Sequence, residues 1–139
     1  MQEVYHPEAV FSDPVFRNLS ALETKAMWHM LVVASTDLRI GYSEVEANGE
    51  EGRCRWDARY SFSRTGRAVH NVIQARFVFQ DGKIYRHTDD FDLWKWCGMA
   101  LGPAGRWLGW TPLIRGQVRK SARQALSSFC QKHPEYTAR

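Results

Sequence analysis

Alternation of apolar and polar residues dominates the middle of the chain. Between Leu38 and Phe91 the apolar side chains recur at every second position in separate runs, which is the pattern of half-buried strands. The predicted strands run from Leu38 through Tyr42 to about Asn48, from Trp56 to Phe62, from Val69 to Phe79 and from Ile84 to Phe91. Turn residues separate the last three, and the Asp-Gly pair at 81–82 is a strong hairpin signal. This order predicts consecutive antiparallel strands.

Helical periodicity flanks the strands on both sides. Ser20 and Glu23 can form a capping box, and apolar residues then follow at three- and four-residue spacing, which predicts a helix with one buried stripe. The stripe contains Met27, Met30, Leu31 and Ala34. Thr111 and Pro112 begin a last helix that runs to about His133. Its predicted apolar face contains Ile114, Val118, Ala122, Ala125, Leu126 and Phe129.

Three segments have weaker patterns. Met1–His6 has the composition of a helix end, and Ala9–Phe11 that of a short strand or turn. Leu93–Leu101 is helical in composition, and residues 102–105 form a break. A helix followed by a series of strands, without strand–helix alternation, predicts an α+β domain.

Composition narrows the class of protein. With 139 residues, 44% of them apolar and 24% charged, the chain is sized and composed as one globular domain. Three cysteines without a Cys-x-x-Cys pair favour free thiols in a reducing compartment. The polar opening lacks a signal-peptide pattern, and the longest apolar run, Met30–Ala34, is too short to cross a bilayer. We therefore expect a cytoplasmic protein. The net charge of +4 does not separate an acidic ligand from a nucleic acid or from no partner.

Several short segments, in their order and spacing, resemble the nuclear transport factor 2-like superfamily, and within it the SnoaL-like branch that includes polyketide cyclases. These segments are Phe11–Phe16, Ala26–Leu31, Thr65–Asn71, Ala75–Phe79, Gly82–Ile84 and His87–Asp92. The resemblance implies a cone-shaped, strongly curved antiparallel sheet, packed against helices and enclosing an apolar pocket. It also implies a homodimer formed through the convex face of the sheet. We expect a single SnoaL-like domain over residues 1–139, with the helix and sheet in 1–93 and a Trp-rich extension with an extra C-terminal helix in 94–139.

The ketosteroid isomerases share the fold that this resemblance implies. Their general-base aspartate lies in an Asp-Pro-Val run, which Asp13 matches here. Their acidic oxyanion donor falls at Ala75, and their tyrosine donor belongs to a first helix that this chain lacks or shows only as its last residues. Steroid isomerase activity is therefore not expected. Either an upstream segment is absent from this chain, or another element closes that side of the cone.

The candidate site follows from strand alternation and from the resemblance. Alternation places His87, Asp89 and Phe91 on one face, and the resemblance turns this face inward. Asp13 is then the candidate base, with His87, oriented by Asp89, as its acid–base partner. The predicted pocket wall contains Trp28, Trp56, Tyr60, Asn71, Ile73, Ala75, Phe77 and Phe91. The competing interpretation is structural: a His–Asp pair on a strand is often only an ion pair, and an Asp before Pro can simply cap a turn.

The expected ligand is a small, largely apolar, cyclic or polyketide-like molecule. An enzyme of this kind would be a cofactor-free isomerase, cyclase or dehydratase; the alternative is a non-catalytic dimeric binding module. His87 and Asp89 with Asp13 are too few ligands for a predicted metal site without a further histidine. No glycine-rich phosphate loop is present, so no cofactor is predicted.

The C-terminal region offers a second class of function. Four tryptophans and a basic helix could dock on an anionic membrane or stack on nucleic acid. The residues concerned are Trp94, Trp96, Trp107, Trp110, Arg115, Arg119 and Arg123. We expect instead that the tryptophans pack the last helix over the mouth of the cone and that the arginines form a solvated face. Neither a membrane nor a nucleic acid is therefore an expected partner.

Overall fold

A five-stranded mixed sheet forms the centre of the fold in the computed structural model, which describes residues 2–137. The strands are β1 (Tyr5–Ser12), β2 (Arg39–Ala47), β3 (Glu51–Ser61), β4 (Ala68–Gln80) and β5 (Lys83–Asp90). The α-helices in this range are α1 (Ala21–Ala34), α2 (Leu93–Leu101), α3 (Pro103–Leu108) and α4 (Pro112–Lys132). Short 3-10 turns cover Gln2–Val4 and Pro134–Tyr136. Met1, Ala138 and Arg139, which belong to the predicted domain, lie outside the described residues.

The strand order is β1-β5-β4-β3-β2. Strands β2 to β5 are antiparallel neighbours in series, as predicted, and the α+β class is confirmed. The helix end predicted for Met1–His6 is present only as the 3-10 turn Gln2–Val4, and it was wrong from Tyr5 onward, because Tyr5 begins a strand that pairs in parallel with β5. Pro7 is tolerated there, since β1 is an edge strand and the register shifts between Tyr5 and Val10.

Irregular pairing bends the sheet at several places. The β2–β3 ladder shifts between Ser43 and Glu46, where Glu44 takes a positive φ of 53°. The β4–β5 ladder shifts between Val78 and Phe79. Such bulges increase local twist and curve a strand, so they give the sheet a concave face for a helix to cover.

Helix α1 packs on that concave face. Its Ser20–Glu23 capping box forms as predicted. The ring of Trp28 lies 5.4 Å from the ring of Trp56 on β3, and it also meets Phe11 of β1 edge-on. The predicted stripe is buried only in its first half, because Leu31 is 38% exposed and no described element covers it. The expected burial of Leu31 and Ala34 was therefore wrong.

Helix α4, near the C-terminus of the sequence, packs against α1. Its Leu126 is 2% exposed and joins a core with Phe11, Leu19 and Met27. Thr111 caps the helix and Pro112 opens it, as predicted. The predicted break at 102–105 is shorter than expected: Gly102, with φ 76°, separates α2 from α3, and Pro103 already begins the next helix.

The opposite face of the sheet carries arginines. Arg53 on β3 is directly opposite Arg76 on β4, and Arg39 on β2 is opposite Arg59. Like charges in cross-strand pairs are unfavourable, although Arg53 is also paired with Glu46. A homodimer through this convex face stays a prediction.

Candidate functional site

A closed loop positions Asp13 at the end of β1. Phe11 and Leu19 exchange backbone hydrogen bonds of 3.0 and 2.8 Å across the base of this loop, which we call the hook (residues 12–19). Within the hook, Oδ1 of Asp13 accepts hydrogen bonds from the backbone N–H groups of Val15 (2.7 Å) and Phe16 (2.6 Å). Asp13 therefore caps a turn through Oδ1, as the structural interpretation of an Asp before Pro expects. The other oxygen, Oδ2, has no hydrogen-bond partner among the described residues.

The pKa of Asp13 is raised from 3.8 to about 6. Burial is the main cause, because it disfavours the charged carboxylate. The two backbone N–H groups lower the pKa, the negative charge of Asp89 raises it, and His87 lowers it. Asp13 therefore titrates close to neutrality, where a carboxyl group can both accept and return a proton.

A buried chain of side chains lies behind Asp89. The indole N–H of Trp28 donates to the hydroxyl oxygen of Tyr5 at 3.0 Å, and that hydroxyl lies 2.9 Å from Nδ1 of His87. Nε2 of His87 lies 2.7 Å from Oδ1 of Asp89. The chain thus links α1, β1 and β5 through the interior of the protein.

The direction of these hydrogen bonds can be deduced from the groups themselves. An indole nitrogen can only donate, so the oxygen of Tyr5 accepts from Trp28 and its own proton is available for Nδ1 of His87. Burial raises the pKa of Tyr5 well above its usual range, which keeps that proton on the phenol. His87 then accepts at Nδ1 and donates from Nε2–H to Asp89. This tautomer satisfies every member of the chain.

Aromatic rings enclose His87. Phe77 lies 4.6 Å from the imidazole between ring centroids, Phe11 lies 4.9 Å away edge-on, and Trp28 stacks at 6.3 Å. Only 4% of His87 is exposed. His87 therefore contacts Asp89 and the interior of the protein.

A cleft of about 520 Å³ opens between the hook, the end of β5 and α4. It is lined by Ser12, Asp13, Pro14, Arg17, Arg76, Thr88, Asp89, Asp90, Phe91, Asp92, Leu93, Arg115 and Arg119. Asp13 and Asp89 both line it, whereas His87 does not. The volume is that of an ordinary small-molecule site, and the lining is predominantly polar and charged.

The predicted pair His87 and Asp89 is present, and Asp13 lies on the same cleft as Asp89. His87 does not line the cleft. The side chains of both members of the pair are buried, with 5% of His87 and 3% of Asp89 exposed. The expected role of Asp89, to orient His87 toward a ligand, stays a prediction.

The predicted pocket wall is distributed over the inner face of the sheet. Trp28, Trp56 and Phe77 pack around the buried chain, and Ile73 and Ala75 are buried in the sheet beside them. Asn71 is buried opposite Ala58, and Tyr60 accepts a hydrogen bond from the indole of Trp96 at 2.8 Å. Phe91 follows β5 and lines the cleft. Of these eight residues, Phe91 alone touches that cleft.

Sequence reasoning missed Tyr5 and the arginines of the cleft. Tyr5, Ala9 and Phe11 are all buried and lie at alternating positions, a strand signal that Pro7 obscured. The arginines missed in this role are Arg17, Arg76, Arg115 and Arg119. The expected solvated face of α4 was wrong for Arg115 and Arg119, because both are half-buried and line the cleft.

The Trp-rich segment is also more exposed than expected. Trp96 packs on Phe62 and Tyr60, as a covering residue should. Trp94, Trp107 and Trp110 are 47%, 74% and 56% exposed. The expectation that all four tryptophans pack over the mouth of the cone was therefore wrong for these three.

Between residues 2 and 137, no three His, Cys, Asp or Glu side chains are grouped so that they could hold a metal ion. In the same range, no helix is both long enough and apolar enough to cross a membrane.

A sequence profile of the SnoaL-like domain matches residues 1–87. The chain belongs to the SnoaL-like family. The resemblance stated from the sequence is confirmed, and the match includes β1, the hook with Asp13, α1 and the part of β5 that reaches His87. No curated protein shows a significant match to the sequence.

Solved structures share the fold of this SnoaL-like protein at low sequence identity. IdmH, a candidate polyketide cyclase from Streptomyces antibioticus, is 18% identical, covers 70% of this chain and 81% of its own length, and has a TM-score of 0.59. A candidate SnoaL-like polyketide cyclase from a Jannaschia species is 14% identical over 73% of this chain and 76% of its own, with a TM-score of 0.63. A Catenulispora acidiphila protein with a ketosteroid isomerase-like fold is 9% identical, covers 80% of this chain and 84% of its own length, and has a TM-score of 0.64. Similarity at these identities shows the fold alone.

Proposed function

We propose that this SnoaL-like protein is a cofactor-free proton-transfer enzyme, an isomerase, cyclase or dehydratase, with Asp13 as its general base. The observation that carries the proposal is the state of the Asp13 carboxyl group. It lines a cleft, one of its oxygens is fixed by two backbone N–H groups, and its pKa is raised to about 6. A carboxyl group held in this way is oriented toward a ligand and is poised to exchange a proton near neutral pH.

The hydrogen bonds of Asp13 support Oδ2 as the proposed reacting oxygen. Oδ1 of Asp13 is occupied by the N–H groups of Val15 and Phe16, so Oδ2 is the atom available to a substrate. The ionised carboxylate takes a proton from a carbon next to a carbonyl group, or from a hydroxyl group, and the protonated acid returns it to another atom. No redox change occurs, because the C–H or O–H bond breaks heterolytically and one proton is added for each proton removed. That proton comes from Asp13, before or after exchange with solvent, and in a dehydration it goes to the departing hydroxide to form water.

Asp89 and the chain behind it support this base. Nε2–H of His87 fixes one oxygen of Asp89, and Tyr5 fixes His87 in turn. The negative charge of Asp89 helps to raise the pKa of Asp13. Asp89 also lies directly across the β4–β5 ladder from Ala75, the position at which the ketosteroid isomerase resemblance placed an acidic group. Asp89 is therefore the second acidic group of the proposed site, and His87 is its positioning residue.

Family membership supports the class of substrate. Two structural relatives of this chain are named as candidate polyketide cyclases. The apolar side chains of Phe91 and Leu93 offer one wall for a ring, and the rest of the cleft is polar. We propose a cyclic or polyketide-like substrate that carries polar groups in addition to its apolar ring.

Proton exchange tests the proposal without knowledge of the natural substrate. Bicyclic aromatic ketones such as α-tetralone and its hydroxylated derivatives would be incubated with the protein in D₂O, and deuterium uptake next to the carbonyl would be followed by NMR. We expect catalysed exchange, and we expect Asp13→Asn to lower it by about 10²- to 10⁴-fold, the usual contribution of a general base. His87→Gln should lower it less, because it acts through Asp89.

Asp90→Asn is the matched control. Asp90 lies on the same cleft, but it is exposed, and its side chain makes no hydrogen bond or ion pair with the described residues. Its replacement should cause a small fraction of the Asp13→Asn effect. Exchange that is unchanged in both Asp13→Asn and His87→Gln would remove the mechanism, and retained ligand binding would then indicate the non-catalytic binding module.

A further inference from the structure

Four arginines line the cleft on the sides away from the buried chain: Arg17, Arg76, Arg115 and Arg119. None of their guanidinium groups lies within 4.0 Å of a carboxylate oxygen of the described residues. Arg17 and Arg76 are exposed, whereas Arg115 and Arg119 are half-buried. A half-buried guanidinium group without an acidic partner among the described residues is a candidate site for an anion.

The backbone holds two of these arginines in place. Nε of Arg119 donates to the carbonyl oxygen of Pro14 in the hook at 2.9 Å. Nε of Arg115 donates to the carbonyl oxygen of Gly109 at 3.2 Å. Both side chains are half-buried, and each uses Nε alone, so the terminal N–H groups of both have no partner in the described part of the chain. A guanidinium anchored at Nε presents the two terminal nitrogens that bind a carboxylate in a bidentate manner.

The acidic residues of the cleft form no ion pair with these arginines among the described residues. Asp89 accepts the hydrogen bond from His87, and Asp92 caps α2 by accepting from the backbone N–H of Lys95 at 3.0 Å. Asp13 is bound to the hook. Asp90 is exposed and forms no ion pair in the described residues. The four aspartates balance the four arginines in formal charge, but the terminal N–H groups of Arg115 and Arg119 stay available to a ligand.

We propose that the cleft binds a small organic carboxylate, whose anionic group is held by Arg115 and Arg119 with Arg17 and Arg76 at the rim. This inference rests on the proposed function and narrows its substrate class from a polar cyclic molecule to a cyclic carboxylic acid. A phosphate ester is less suitable than a carboxylate. The negative charges of Asp13 and Asp89 repel a dianion more strongly than they repel a monoanion. The volume of about 520 Å³ suits a ligand of one to a few rings.

Binding measurements on the full chain test the proposal. The probes are naphthoate, its uncharged methyl ester and inorganic phosphate, titrated by calorimetry at low and high salt. We expect naphthoate to bind at least about ten-fold more tightly than the ester, as a hydrogen-bonded ion pair should, and to weaken as salt rises. Equal affinities for acid and ester, or tighter binding of phosphate than of naphthoate, would overturn the assignment.

Variants locate the anion within the cleft. Arg115→Gln should weaken naphthoate binding by about ten-fold and leave the affinity for the ester unchanged. Arg76→Gln should weaken naphthoate binding less, because Arg76 is exposed at the rim. Arg123→Gln is the matched control, because Arg123 lies on the same helix but pairs with Glu23 outside the cleft. A loss in Arg123→Gln equal to that in Arg115→Gln would show that the general charge of α4, and not the cleft, attracts the anion.

The outcome is independent of catalysis. Asp13→Asn should retain naphthoate binding while it loses proton exchange, since it removes the base and keeps the arginines. If naphthoate binds through Arg115 but no exchange occurs in the wild-type protein, the carboxylate site stands and the proposed enzyme falls. If exchange depends on Asp13 but the acid and ester bind equally, the enzyme stands and the carboxylate assignment falls.

Discussion

The hydroxyl group of Tyr5 lies 2.9 Å from Nδ1 of His87, although 82 positions separate the two residues in the chain. Parallel pairing of β1 with β5 creates this contact, because Phe11 and His87 are register partners and Tyr5 is on the same inner face. The first strand thus supplies the hydrogen bond that fixes the tautomer of His87. The proposed site depends on an edge strand that does not itself carry the reacting group.

Replacing Tyr5 by phenylalanine should destabilise the protein by about 1–3 kcal/mol, because it leaves the indole N–H of Trp28 and Nδ1 of His87 without a partner in a buried position. Urea unfolding followed by tryptophan fluorescence measures this difference. Tyr85→Phe is the control, since Tyr85 lies on β5 and its hydroxyl has no hydrogen-bond partner in residues 2–137. Equal losses of stability in both variants would mean that the buried hydrogen bonds of Tyr5 stabilise the protein no more than the unpaired hydroxyl group of Tyr85 does.

The stability of the protein should depend on the ionisation of Asp13. Its folded pKa of about 6 lies above the unfolded value of 3.8, so the folded state binds more protons between these pH values. By linkage, the contribution of Asp13 to stability falls as the pH rises from about 4 to about 6. Asp13→Asn can keep both hydrogen bonds to the hook through its amide oxygen. The variant should therefore gain stability relative to the wild type over this window, as measured by urea unfolding at several pH values.

Asp37 provides a control of opposite sign for this pH series. Hydrogen bonds from Ser61 lower the pKa of Asp37, which is fully exposed. The stabilisation of the folded state by Asp37 is therefore present above the ordinary pKa of an aspartate, and it is lost as the pH falls. Asp37→Asn should lose a little stability at neutral pH and none in strong acid. A difference curve for Asp13→Asn with the slope of Asp37→Asn would contradict the burial of Asp13.

Catalysed exchange should itself rise with pH. Asp13 is active as a base only when ionised, so kcat/KM for deuterium exchange should increase from pH 5 to pH 7 with a midpoint near the pKa of about 6. The profile of Asp13→Asn should lack this step. An unchanged midpoint in that variant would assign the titration to another group.

Local signals explain which parts of the fold the sequence could predict. The Ser20–Glu23 capping box, the Asp81–Gly82 turn and the Thr111–Pro112 start all depend on neighbouring residues, and all three are present in the structure. Strand β1 was missed because its partner is β5, far along the chain, and because Pro7 weakens its pattern. Alternation can find a strand, but it cannot show which distant strand completes its hydrogen bonds.

The same limit applies to the candidate site. Asp13, His87 and Asp89 were predicted from a family resemblance and from strand alternation, which fix the face of a residue. The cleft depends on where α4 packs, because Arg119 reaches the cleft only when its helix lies against the hook. No periodicity in α4 distinguishes a solvated arginine from one that lines a cleft. The sequence therefore did not predict the arginines of the cleft, and the roles of Asp13, His87 and Asp89 stay a prediction.

The docking of α4 should depend on Leu126. Its side chain is 2% exposed in the core shared with Phe11 and Leu19, so Leu126→Ala should cost about 2–5 kcal/mol through lost burial and the cavity left behind. Leu113→Ala on the first turn of the same helix is the control, because Leu113 is 79% exposed. Similar urea midpoints for the two variants would show that α4 is not held by this core.

Close packing of α2 and α3 should make Gly105 irreplaceable. Gly105 is buried, and a Cβ atom at this position would overlap the backbone carbonyl of Cys97 and approach the side chain of Leu101 to 3.0 Å. The glycine was predicted to break a helix, but it lies within α3 and allows two helices to touch. Gly105→Ala should therefore destabilise the protein strongly, since the obstructing atoms belong to the backbone and cannot rotate away.

Gly116→Ala is the matched control, because Gly116 is an exposed position of α4 and a Cβ atom there meets nothing within 4 Å. The better helix propensity of alanine should stabilise the protein by up to about 1 kcal/mol. Opposite signs in urea unfolding are the expected result, and a stabilising Gly105→Ala would show that the two helices are farther apart than described.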